Sequence, residues 1–179
     1  MSTRQVPVYL ADTMTAPRED SGKGTFRLSS SALTDGAPIP QIFTCEGKNQ
    51  SLPLAWTGVP VSTRSFALIA DDPDAPRGTW VHWLIWNLPA DACELGTGVP
   101  TIPELPSGAR QGANDGGDLG YQGPCPPPGR PHRYFFRLFA LDISLNLAPG
   151  ADRSALEAAF EGHVLARAVL MGTYQRSRS

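Results

Sequence analysis

The chain has 179 residues, of which 41% are hydrophobic and 18% charged, with 18 Gly, 18 Pro and a formal charge of -2. That length suits one domain able to bury roughly 70% of the surface its unfolded form exposes, so no disulfide or metal staple is needed for folding. The near balance of charge, without a Lys/Arg cluster, excludes a nucleic-acid footprint, and no apolar run reaches transmembrane length.

Met1 to Gly24 holds no apolar stretch of signal-peptide length, and polar and turn-forming residues dominate from Thr13 onward. Residues 1–24 therefore read as a flexible tail and 25–179 as the folded domain. The excess of Gly and Pro argues for many turns between short strands. Phe26-Arg27-Leu28 opens a strand, and Thr34 to Pro40 carries turn chemistry before an extended pattern resumes at Gln41-Ile42-Phe43-Thr44. Leu54-Ala55-Trp56 and Ser65 to Ala70 read as strands, the second apolar on both parities and so covered on both faces. Val81 to Leu88 is a strand of the same kind, closed by Pro89.

From Asp91 to Gln122 the chain is largely Gly, Pro, Asp and small residues, which predicts a long surface loop. Arg133 to Leu141 is the clearest strand. Tyr134, Phe136, Leu138 and Ala140 share one face with His132 at its mouth, while Arg133, Phe135, Arg137 and Phe139 take the other. Leu156, Phe160 and Val164 recur at helical spacing behind a Ser154/Glu157 capping box, and a last strand runs from Arg167 to Tyr174. These elements predict a mainly β, antiparallel fold with one or two short helices near the C-terminus.

Two of the three histidines lie in the most turn-rich segments, Asp71 to Trp83 and Gly120 to Tyr134. If the strand ending at Asp72 neighbours the one starting near Trp80, then Asp72, Asp74 and His82 converge at one end of a sheet, and His132 with Tyr134 closes the ring. A carboxylate beside two imidazoles makes a polar floor in an apolar cleft. Ala75-Pro76 and the prolines from Pro124 to Pro131 form its rim, with a cis bond expected at Pro76. Backbone N–H groups from Gly123 to Cys125 are candidate anion holders.

Plainer readings apply elsewhere. His163 reads as structural, and Trp80, Trp83 and Trp86 as core or cleft wall. Cys45, Cys93 and Cys125 are odd in number and far apart, which predicts neither a disulfide framework nor a metal pair and suits a cytoplasmic protein. Cys125 is a small rim residue rather than a nucleophile, because no basic residue adjoins it. A metal-dependent hydrolase using an Asp/His/His site is the competing reading, although no His-Glu-x-x-His spacing and no Gly-x-Ser-x-Gly elbow is present.

The two segments resemble the signatures of the phosphatidylethanolamine-binding protein family, also called the Raf kinase inhibitor protein family, in its short bacterial branch. Asp72-Pro73-Asp74-Ala75-Pro76 with His82-Trp83 and Asn87-Leu88-Pro89 matches the first, and Gly123-Pro124-Cys125-Pro126-Pro127-Pro128-Gly129 with His132-Arg133-Tyr134 the second. The resemblance implies an antiparallel β-sandwich with a small pocket for phosphate or a phosphoryl headgroup. By it, Asp72, His82, His132 and Tyr134 bind, with Pro126 and Pro127 on the loop and Asp74 and Trp83 at motif positions. It implies no cofactor, no bound metal and no catalysis, and it carries regulation of a kinase or protease partner and a homodimer as expectations. One departure is Leu52, which stands in Ser51-Leu52-Pro53 where the family has proline. A second is that nothing after Tyr174 matches the helical extension of eukaryotic members.

Overall fold

A computed structural model describes residues 24–177. The tail expected over residues 1–24 lies, apart from Gly24, outside the described residues. The architecture is easiest to build from β3, Ser65–Asp72, in which every residue is buried. Its even positions Phe66, Leu68 and Ala70 enter one apolar cluster, and its odd positions Ala67 and Ile69 enter another. A strand covered on both faces has no solvent side, hence the uninterrupted apolar run.

β3 is the central strand of five. It pairs antiparallel with β4, Trp80–Pro89, and with β7, His132–Leu141. β6, Arg110–Gln111, lies outside β4, and β8, Val164–Tyr174, outside β7. The opposing sheet is short: β1, Arg27–Ser29, and β5, Glu94–Leu95, flank β2, Leu54–Thr57. The sandwich core between the sheets holds Trp56, Phe66, Trp83, Phe136 and Leu138. Leu52 is fully buried there, so the side chain fills core volume. On the outer face of the large sheet, α1, Arg153–Phe160, packs Leu156 and Phe160 over Ile69, Trp86 and Phe139. The Phe139 and Phe160 rings lie 4.8 Å apart.

Several expectations need correction. Gln41–Phe43 is a 3-10 turn rather than extended chain, since Pro40 and Gln41 carbonyls accept from Phe43 and Thr44 N–H. The helix is capped by Asp152, whose carboxylate accepts from Ala155 N–H at 2.9 Å, not by Ser154; Glu157 instead meets Arg153 at 2.7 Å. Gly162, in the left-handed region at φ 79°, turns the chain after the helix, so the β-branched Val164 begins β8 opposite Leu141 instead of extending the helical stripe. The bond before Pro76 is trans: that reversal is made by Gly78 at φ 108°, with its N–H on the Ala75 carbonyl.

The segment from Asp91 to Gln122 is not simply a surface loop. It contains β5 and β6 and buries Ala109, Gln111, Asn114 and Tyr121. Gln111 organises it by donating to the Pro100 and Ile102 carbonyls at 2.7 and 2.9 Å while accepting from the Trp83 indole at 2.8 Å. A buried amide with all three bonds made carries no net desolvation penalty, so this polar side chain is tolerated in an apolar wall.

Candidate functional site

The ends of β3, β4 and β7 meet at one end of the sandwich. Asp72 continues the even, inward-facing parity of β3, and His132 and Tyr134 continue the same parity of β7. His82 arrives differently. Ala70 pairs with Trp83 and Asp71 with Val81, so His82 is the extra residue of a β-bulge. Val81 points to the helix side, whereas His82 and Trp83 both point into the sandwich, His82 to a cavity and Trp83 to the core. A bulge re-aims a side chain in this way by giving two residues to one partner position.

The cavity measures about 300 Å³ and is walled by Asp72, His82, His132 and Tyr134 on the sheet side. Ala75, Pro76 and Trp80 form one rim, and Gln122, Gly123, Cys125, Pro126 and Pro127 form the other. Of the residues singled out in the sequence, Asp74 and Trp83 are absent from this lining, and so are Pro124, Pro128 and Pro131 of the expected proline rim. Trp83 is fully buried against Tyr121, and Asp74 faces Arg133.

Hydrogen bonds set the orientation of each wall residue. Asp72 accepts from Asp74 N–H on one oxygen and from His132 Nδ1 on the other, both at 2.8 Å. His82 donates from Nδ1 to the Gln122 carbonyl at 2.7 Å, and its own carbonyl accepts from Gln122 N–H at 2.9 Å. Burial pushes the His82 imidazole below its ordinary pKa, against the pull of the Gln122 hydrogen bond and of the Asp72, Asp115 and Asp71 charges. The Tyr134 hydroxyl is buried beside the Asp72 carboxylate but makes no well-formed hydrogen bond. Burial first, and then the neighbouring Asp72 charge, pushes its pKa up, so it remains a proton donor. Arg133 holds the Asp74 carboxyl down to about 2 through a bidentate pair and its backbone N–H.

The proline-rich rim is tied covalently. Cys45 and Cys125 form a disulfide, which overturns the expectation drawn from cysteine spacing. Tertiary docking brings them together: Tyr121 donates its hydroxyl to the Phe43 carbonyl, Gly123 N–H donates to Asn49, and Cys45 N–H donates to the Pro124 carbonyl. Gly123 is required at that contact, because a Cβ would lie 2.4 Å from the Phe43 carbonyl oxygen. Its N–H being taken by Asn49, and Pro124 having none, the Gly123 to Cys125 stretch has little backbone donor capacity left for an anion.

Among the described residues no group of three His, Cys, Asp or Glu side chains is arranged to hold a metal ion. Asp72 has both oxygens in hydrogen bonds and His82 has its Nδ1 on a carbonyl, so the Asp/His/His set is a hydrogen-bonded wall. Gln122 and Trp80 were not among the residues singled out as binding. Gln122 holds His82 through its main-chain carbonyl, which no side-chain pattern reveals. Trp80 is half exposed at the rim, with its indole on the Gln122 side chain.

The profile of the phosphatidylethanolamine-binding protein family matches residues 29–175. The chain belongs to that family. A UPF0098 protein of Methanothermobacter thermautotrophicus is 53% identical over 149 residues, covering 83% of this chain and 98% of that one. Another, from Aquifex aeolicus, is 46% identical, covering 87% and 92%. Among solved structures, a phosphatidylethanolamine-binding protein homologue from Chlamydia trachomatis superposes with a TM-score of 0.78 at 38% identity, covering 86% of this chain and 99% of that one. Escherichia coli YbcL, described as a member of the mammalian family, gives 0.80 at 32%, covering 86% and 100%. The antiparallel, mainly β fold with one helix near the C-terminus is that of these neighbours.

Proposed function

We propose that this family member binds a small phosphoryl anion, either free or as the head of a larger molecule, in the cavity between His82 and His132 and does not turn it over. The observation that carries this is a cavity lined by two imidazoles beside the buried Tyr134 hydroxyl, whose neighbouring acceptor, the Asp72 carboxylate, already takes bonds from Asp74 N–H and His132. A buried unsatisfied donor costs about 1–3 kcal/mol, which a ligand oxygen would recover. Asp72 stands behind His132 as a charge partner, so that an imidazolium there can donate from Nε2 to the same anion. A volume of about 300 Å³ lies at the lower end of small-molecule sites and holds a phosphoryl group with a small substituent.

Binding without turnover is supported by the state of the side chains. Cys125, the cavity's one sulfur, is held in the disulfide, and Asp72 is committed to fixing His132. That cross-link also removes the cysteine argument for a reducing, cytoplasmic setting. No helix among the described residues is long and apolar enough to cross a membrane.

Calorimetric titration with inorganic phosphate tests the proposal. Tyr134→Phe is expected to weaken binding about tenfold or more, the worth of one hydrogen bond to a charged group. His132→Ala is expected to weaken it further. Equal affinity in wild type and both variants would remove the proposed site.

A further inference from the structure

The two histidines present different faces to the ligand. Each has its Nδ1 engaged by the protein, so each turns Nε2 toward the cavity. Behind His132 is a carboxylate, which can balance a positive charge on the ring. Behind His82 is only the Gln122 carbonyl, which accepts and cannot donate, so the proton of a neutral His82 must sit on Nδ1 and its Nε2 carries a bare lone pair. The groups facing or near His82 are Asp71 and Asp72 of β3, Asp115 of the loop beside Val81, and the Tyr134 ring 5.2 Å away on β7. Burial outweighs the Gln122 hydrogen bond and those three carboxylates and keeps the ring below its ordinary pKa. The ring cannot turn over cheaply, since Gln122 grips both the side chain and the carbonyl of the same residue.

We propose that the cavity selects a phosphoryl group that retains a P–OH proton, donated to His82 Nε2, while the other oxygens accept from Tyr134 and His132. This rests on the phosphoryl-binding reading above and narrows it to a chemical class. Inorganic phosphate and phosphomonoester monoanions carry such a proton. Sulfate, of the same shape, and phosphodiesters, including intact phospholipids, carry none and set an oxygen lone pair against that of His82. The loss of one hydrogen bond together with that repulsion is expected to separate the two classes by about ten- to a hundredfold.

The test titrates wild-type protein with phosphate, sulfate, phosphoethanolamine and glycerophosphoethanolamine at about pH 5.5, where the monoester keeps its P–OH proton, and at fixed ionic strength. Phosphate is expected to bind at least about tenfold more tightly than sulfate, and the phosphoethanolamine monoester more tightly than the glycerophosphoethanolamine diester by a similar factor. Sulfate within threefold of phosphate would overturn the assignment of His82 while leaving the anion site standing. Binding of none of the four would overturn the phosphoryl reading and this inference with it. Two further measurements protect against a misfolded variant. Nitrogen-15 spectra of the wild-type imidazoles are expected to show His82 protonated at Nδ1 alone, and a cationic His82 in the phosphate complex would refute the proposal. His82→Gln, whose amide can either donate or accept, is expected to bring the phosphate-to-sulfate ratio toward one, and an unchanged ratio counts against it.

Discussion

The Cys45–Cys125 disulfide offers the most quantitative test of how this fold is held. The two cysteines lie 80 residues apart, and the loop they close contains β2 through β6. In the chain-entropy treatment a cross-link over a loop of that length restricts the unfolded ensemble by about 4.5 kcal/mol. Both residues are exposed, so replacement by serine leaves no core cavity to add to the loss. The Cys45→Ser/Cys125→Ser variant is therefore expected to unfold about 4 kcal/mol more easily, with Tm lowered by roughly 8–16 °C for a domain of this size. Urea unfolding followed by tryptophan fluorescence and by far-ultraviolet circular dichroism, oxidised and reduced, measures this. The exposed free Cys93 is alkylated beforehand to prevent exchange. A loss below about 1 kcal/mol would show that docking of the proline-rich loop, rather than the cross-link, restricts the chain, and the reasoning would fail.

Two other predictions concern β4. Asn87 sits in the left-handed region at φ 55° and clamps Leu145, accepting from its N–H at 2.7 Å and donating to its carbonyl at 2.9 Å. Asn87→Ala is expected to cost about 2–3 kcal/mol and Asn87→Gly about 1 kcal/mol less, because glycine keeps the conformation; equal losses in denaturant unfolding would refute the strain component. Because burial lowers the His82 pKa in the folded state, its contribution to stability is complete above the ordinary value of 6.5. That contribution declines as pH falls from 6.5 toward the depressed folded value, and proton NMR of the ring is expected to give a midpoint below 6.5. A midpoint at or above 6.5 would refute the burial argument.

The large sheet was legible because its physics is written in side-chain periodicity. The uniform apolar run of β3 announces two covered faces, and the alternation in β7 places His132 and Tyr134 on the core side. What stayed hidden depends on partners distant in the chain. The disulfide forms because Tyr121 and Gly123 dock against Phe43 and Asn49, which spacing does not record. Gln111 looks like any loop glutamine until the Trp83 indole and two carbonyls surround it. Asp74 adjoins the Asp72 turn, which suggests a place in the cavity, but the Arg133 fork draws it to the outside. Neighbours in a motif need not share a destination.

The extra residue in β4 has a consequence for how such a site can be gained or lost. Strict two-residue alternation from Trp83 backward would turn position 82 toward α1 and bring position 81 into the cavity, replacing an imidazole with a valine. A single-codon deletion beside His82 would therefore erase the ligand seat while preserving the histidine as a residue, and an insertion on the facing strand would do the same by cancelling the offset. The motif's letters alone do not encode the pocket; the reading frame of the sheet does.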